Sequence, residues 1–195
     1  MAQTVTLKPI NRKTLAITIE GTSILVQHSW SEKAKREMRE KKGGKKTKNR
    51  TVCDPQAEAE AATYRTADGQ FGIPVTALKS SIISAAHKDI GIEKTLVKKS
   101  LFVLCDDKDG VLPIRCEEPV IREDNVRVGM GAADLRYRPE FADWECDVEI
   151  EYDADNLTPE DIVNLVNRAG FGVGICEFRP EKGGDWGRYR VKAQR

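Results

Sequence analysis

Trp144-Glu-Cys-Asp-Val-Glu-Ile-Glu-Tyr152 decides how this chain is read, because Trp144, Cys146, Val148, Ile150 and Tyr152 alternate with Glu145, Asp147, Glu149 and Glu151. A period of two puts the two sets on opposite faces of a β-strand, so one face is core and the other is acidic. Thr158-Pro-Glu-Asp161 then supplies an N-cap, a first-position proline and first-turn acids, ahead of Ile162, Val163, Leu165 and Val166 on one side. A helix follows, stopping near Arg168 to Gly170. Val173 to Phe178 and Trp186 to Val191 read as strands on either side of the turn Glu181-Lys-Gly-Gly-Asp185, which completes a β-α-β-β run.

The earlier part of the chain offers a matching set. Thr14 to Glu20 alternates apolar and polar residues with β-branched enrichment, as a half-buried strand does. A further apolar pattern ends at Thr22 to Val26, and the Ala67-Asp68-Gly69 turn divides two short extended pieces between Tyr64 and Gln70. Val75, Leu78, Ile82, Ala85 and Ala86 recur every three or four residues, which predicts a helix from Pro74 to His87. Leu101 to Cys105 and Val111 to Cys116 read as a hairpin around Asp106-Asp-Lys-Asp-Gly110. Val120 to Tyr137 reads as polar and irregular around Gly129-Met130-Gly131. The order is β-α-β-β-α-β-like, so the expected fold class is α+β: an antiparallel ferredoxin-like or RNA-recognition sheet with helices on one face.

A length of 195 residues suits a single domain spanning residues 1–195. No apolar run approaches the roughly 20 residues that span a membrane, and Met1 to Ile10 lacks the pattern of a signal peptide. A cytoplasmic address is expected. Cys53, Cys105, Cys116, Cys146 and Cys176 are an odd number without a C-x-x-C pair, which points to reduced thiols rather than a zinc site or a disulfide framework. His28 and His87 suit structural roles or lone contacts. No nucleophile–base pair, paired-carboxylate signature or phosphate-binding lysine loop is present, so neither catalytic residues nor a metal or other cofactor are expected. Asp54 is the one nuclease suspect.

The formal net charge of +1 hides an uneven distribution, since Lys33 to Arg50 carries ten Lys/Arg against Glu37 and Glu40. Lys35, Arg36, Arg39, Lys41, Lys42, Lys45, Lys46, Lys48 and Arg50 are dense enough to neutralise several phosphates, and the Ser31 to Lys42 part has a helical charge mix. From Ser31 to Glu60 there is almost no large apolar residue, so the segment cannot bury itself; the same run also suits a solvated loop. Arg136, Arg138, Arg179, Arg188 and Arg190 add planar donors for phosphate or base edges. Gly170-Phe-Gly-Val-Gly174 lets bare amides approach a phosphate at Gly172 and Gly174, though it reads equally as a helix C-cap with a tight turn. Phe171, Phe178, Trp186 and Tyr189 lie nearby and are candidates for base stacking, half of them being core if they alternate.

Three stretches together resemble the repeat-associated (RAMP) superfamily of CRISPR proteins, in particular its effector-backbone subunits. They are Asp68-Gly-Gln-Phe-Gly-Ile-Pro-Val-Thr-Ala-Leu-Lys79, Leu135-Arg-Tyr-Arg-Pro139 leading to Trp144, and the glycine-rich Gly170 to Gly174 and Gly183 to Gly187. The chain is also similar to proteins of tailed bacteriophages. The resemblance implies a modified RNA-recognition fold with an inserted basic thumb over residues 31–65. It also implies single-stranded RNA as partner, with Lys79 among the contacts, and homo-oligomers stacked head-to-tail in the bacterial host cell. The chain is short for that family, and Asp54 matches the thumb aspartate of RNA-cleaving members only loosely. A phage-encoded protein that docks on a protein partner, as an inhibitor of host defence or a structural protein, is the rival from another class. A single-stranded DNA binder is the third, which the residues do not separate from the first.

Overall fold

In the computed structural model, which describes residues 9–29, 54–87, 90–128 and 132–193, the acidic-alternating strand is the centre of the main sheet. The strands are β1 (Arg12–Gly21), β2 (Leu25–Val26), β3 (Gly72–Pro74), β4 (Leu101–Val103), β5 (Val111–Cys116), β6 (Val120–Val128), β7 (Ala132–Phe141), β8 (Trp144–Asp153) and β9 (Tyr189–Val191). The helices are α1 (Pro55–Ala62), α2 (Val75–Ala85), α3 (Lys94–Ser100) and α4 (Pro159–Gly172). The fold is α+β. One sheet runs β3-β5-β8-β1-β9 with β4 also on β8, and a second runs β2-β7-β6; all the pairings are antiparallel.

β8 behaves as its alternation demands. Trp144, Cys146, Val148, Ile150 and Tyr152 join Ile19 of β1, Leu78 and Ile82 of α2, Val97 of α3 and Ile162, Leu165 and Val166 of α4 in one apolar core. These helices therefore cover one face of the sheet. Burying a side chain of this size is worth about 1.5–3 kcal/mol, and this shared burial sets the register against β1, with Ile19 beside Cys146 and Ile17 beside Val148. α4 begins on a reciprocal capping box, in which Thr158 Oγ1 accepts from Asp161 N–H at 3.1 Å and Asp161 Oδ2 accepts from Thr158 N–H at 2.9 Å.

On the other face the acidic side chains are answered by cations. Arg115 of β5 pairs with Glu145 and Asp147, Lys192 with Glu145, Arg190 with Glu20, and Thr18 Oγ1 donates to Asp147 Oδ1 at 2.7 Å. The Arg115 guanidinium, aided by Thr18, holds the Asp147 carboxyl below the ordinary carboxylate range, as Lys192 and then Arg115 do for Glu145. A carboxyl depressed in the fold contributes stability that is present above the ordinary carboxylate pKa of about 4 and is lost as pH falls through the folded value. Arg115→Ala is thus expected to move the Asp147 titration upward toward that ordinary value. Carboxyl NMR titration checks this, and an unmoved midpoint would deny the ion pair; the thermal midpoint at neutral pH should change little, because the groups are solvated.

Several elements differ from the sequence reading, each for a physical reason. The expected hairpin of Leu101 to Cys105 with Val111 to Cys116 does not form. β4 and β5 instead lie end to end on the same edge of β8, with Phe102 beside Glu151 and Arg115 beside Glu145, while β5's other edge takes β3. Residues 120–128 and 132–137 are not irregular but belong to the β6–β7 ribbon, while Gly129-Met130-Gly131 lies outside the described residues; across the ribbon's backbone ladder Arg122 reaches Glu140 at 2.8 Å and Arg138 reaches Asp124 at 3.8 Å, in place of an apolar face. Val173 to Phe178 is not a strand, because Cys176 (φ 60°) and Phe178 (φ 45°) turn the backbone left-handed. The final strand is shortened to β9, and α4 runs past Gly170 to Gly172. α2 begins after Pro74, which is its N-cap, and α3 was not foreseen. Part of the Ser31 to Glu60 segment, read as unable to bury itself, does so: α1 is alanine-rich and buries Ala59 within that segment and Ala62 just beyond it. Asp54 accepts from the amides of Gln56 and Ala57 and so caps α1.

Candidate nucleic-acid interface

The segment that closes α4 builds a loop held by many backbone hydrogen bonds. The amides of Val173 and Gly174 both return to Ala169 O, at 3.0 and 2.8 Å, and Gly174 then turns left-handed at φ 71°. Beyond it the loop is laced to itself and to the segment preceding β2. Ile175 N–H donates to Gly187 O, Trp186 N–H to Phe178 O, Gly184 N–H to Arg179 O and Gly187 N–H to Ile24 O. A Cβ at Gly184 would sit inside the van der Waals shell of the Phe178 carbonyl, and one at Gly187 inside that of Ile175. Gly184 and Gly187 are thus consumed in packing the loop against itself.

Opposite this loop stands α2 along its length. Between them lies a cleft of about 500 Å³ whose walls include Thr76, Ser80 and Ser84 on one side and Gly174, Glu177, Arg179 and Glu181 on the other, with His28 and Tyr64 at one end. Thr76, Ser80 and Ser84 are spaced by four, so their hydroxyls form one row on the helix. Gln27, wholly buried, anchors that end: its amide donates to Gly72 O and its carbonyl accepts from Tyr64 N–H, both at 2.8 Å. The adjacent His28 keeps a buried Nδ1 without a hydrogen-bond partner, and burial above all, joined by the nearby Arg138 and Arg136, lowers its pKa against the opposing pull of Glu177. Burial thus favours the neutral imidazole.

The structure distributes the sequence's candidates unevenly. Gly174 and Arg179 line the cleft. Arg179 is already engaged, with Glu181 at 2.9 Å and the Cys176 carbonyl at 3.1 Å, and it holds the Glu181 carboxyl below the ordinary range. Arg138 is buried behind the wall, 3.3 Å from Glu177 and 3.8 Å from Asp124. Arg136 pairs with Asp134 at 2.8 Å on the ribbon, and Lys79 lies 3.9 Å from the centre of the Phe102 ring. Gly172 faces open space, so a side chain there meets nothing. Lys35, Arg36, Arg39, Lys41, Lys42, Lys45, Lys46, Lys48 and Arg50 lie outside the described residues, as does most of the expected thumb. Missed from the sequence were the hydroxyl row of α2, whose spacing of four was visible, and Tyr64. Also missed was Arg122, whose guanidinium sits 4.3 Å from the centre of the Trp186 ring.

No protein-family model matches the chain, and no curated protein matches it. Among solved structures, the crystal structure of Cmr6 from Pyrococcus furiosus overlaps 93% of this chain and 98% of its own, at 10% identity and a TM-score of 0.47. Likeness of that degree settles neither family nor activity. Among the described residues no helix is long and apolar enough to cross a membrane, and no cluster of His, Cys, Asp or Glu forms a metal set.

Proposed function

We propose that the protein is an RNA-binding, self-associating subunit that performs no catalysis, resembling the backbone subunits of RAMP-type CRISPR effectors and working in the cytoplasm of a bacterial host. The observation that carries this reading is the cleft between the hydroxyl row of α2 and the glycine-rich loop. Short hydroxyls suit a sugar–phosphate strand, and the exposed rings of Phe171 and Phe178 stand on the same glycine-rich segment. The strand order β5-β8-β1-β9 with helices on one face supports a split βαβ, RNA-recognition-like arrangement, with residues 31–65 as a basic thumb. In that arrangement the lysines of the thumb hold phosphates, and copies stack head-to-tail along the strand.

A second reading has its own observation. Arg115, Arg122, Arg136, Arg138, Arg179 and Arg190 are each matched by a carboxylate, which suits a protein-docking surface better than a phosphate track. Size-exclusion light scattering with absorbance at 260 and 280 nm, before and after ribonuclease, separates the two. Under the first reading the protein leaves its expression host as a large assembly carrying ribonuclease-sensitive nucleic acid. A nucleic-acid-free monomer or dimer that also ignores added single-stranded RNA would establish the docking reading instead.

A further inference from the structure

Phe178 is 52% exposed, although it belongs to a loop tightly laced by backbone hydrogen bonds. Its backbone is left-handed at φ 45°, a conformation that costs a non-glycine residue about 1–2 kcal/mol. The neighbours that enforce this are specific: Gly184 packs on the Phe178 carbonyl, and Trp186 N–H donates to it at 3.1 Å. The fold thus accepts strain in order to hold an aromatic ring outside its core. The ring is backed by Trp186, whose centroid lies 4.9 Å away at an interplanar angle of 59°. Trp186 in turn carries Arg122, which is fixed in place by Asp124 and Glu140.

A second pair repeats the theme on the same glycine-rich segment, where Phe171, 73% exposed, has the Arg188 guanidinium 5.2 Å from its ring centre. In the sequence Phe178 falls between Glu177 and Arg179, which line the cleft, while its own ring lies outside that lining.

We infer that Phe178, backed by Trp186 and Arg122, is a platform on which an unpaired nucleobase of a bound RNA strand stacks; this rests on the RNA-binding reading above and names the contact by which the loop would hold a base. The platform is a flat, exposed ring on the loop that also forms one wall of the polar cleft, which suits the π-face of a base splayed out from a strand running along that loop. Arg122 is neutralised by two carboxylates, so the attraction comes from stacking and not from phosphate charge. That separation of terms gives the site a signature of its own.

The experiment measures binding of a labelled single-stranded RNA of about a dozen nucleotides, and of an abasic strand of equal length, across a salt series. Phe178→Ala and Phe178→Leu are expected to weaken binding of the base-bearing strand about tenfold, from the roughly 1–3 kcal/mol that one stacked base contributes. Phe178→Tyr, which keeps the ring, is expected to bind as the unmodified protein does. The slope of log affinity against log salt should be the same in every variant, and the abasic strand should not distinguish them. Equal binding of the base-bearing strand by Phe178→Leu and the unmodified protein overturns the platform alone, as does an equal loss on the abasic strand or a changed salt slope. If the unmodified protein binds neither strand, the RNA-binding reading falls and the platform with it. Circular dichroism establishes that each variant is folded, and the Leu and Tyr pair decides the question if the Ala variant is not.

Discussion

Lys41, Lys42, Lys45 and Lys46 replaced together by Ala are expected to lower the affinity for single-stranded RNA by two to three orders of magnitude at about 0.1 M salt, and to reduce the salt slope by about 3. Each phosphate neutralised on a single strand contributes about 0.7 to the slope of log affinity against log salt, so four lost contacts carry both figures. The structure strengthens the expectation by narrowing the alternatives. Arg136, Arg138 and Arg179 are committed to Asp134, Glu177 and Glu181, and Lys79 to the Phe102 ring, so these described cations bring little unbalanced charge to a phosphate. The unbalanced positive charge of the chain lies instead in Lys33 to Arg50. Fluorescence anisotropy over a salt series is the measurement. A quadruple variant with the unmodified slope would remove the basic segment from the interface and leave the protein-docking reading in possession of it.

How far the fold was legible follows from which elements bury one face. β1, β8, α2 and α4 each set an apolar row against the common core, and a row of that kind leaves a period of two or of three to four in the sequence. The β6–β7 ribbon leaves none, because beside its backbone ladder the pairs across it are the charged Arg122–Glu140 and Arg138–Asp124, and its apolar Val120, Ile121 and Leu135 are exposed. Asp106 to Gly110 has the composition of a hairpin turn, and a local reading pairs the strands on either side. That pairing was lost to a longer-range one, since β8 accepts both strands along one edge and β5 gains β3 on its other side. Val173 to Phe178 failed differently: nothing in the residue types Cys176 and Phe178 announces a left-handed backbone, which is imposed by the close packing of Gly184 and Gly187. The glycine-rich character of the site was therefore visible, while its purpose as internal packing, and the hydroxyl row facing it, required the three-dimensional arrangement.

Gly170→Ala and Gly172→Ala, two changes within one turn of α4, are expected to have opposite effects on stability. A Cβ at Gly170 would lie inside the van der Waals shell of the Tyr189 carbonyl oxygen and press on the Tyr189 ring, so α4 must move away from β9. Tyr189 is 1% exposed and its hydroxyl donates to Ser81 Oγ of α2 at 3.0 Å, so the displacement reaches the helix that forms the other wall of the cleft. Overpacking against backbone in such a place costs about 3 kcal/mol, which lowers the thermal midpoint by about 10 °C in a chain of this size. At Gly172 the same methyl group meets nothing, and replacing glycine by alanine in a helix favours folding by about 0.5–1 kcal/mol. Differential scanning calorimetry of the two variants tests the contrast, and a Gly170→Ala protein as stable as the unmodified one would refute the packing of α4 against β9. Because Gly172→Ala keeps the fold, it also isolates the question of approach: if the backbone at Gly172 touches a phosphate, that variant loses RNA affinity while gaining stability, and an unchanged affinity removes Gly172 from the contacts.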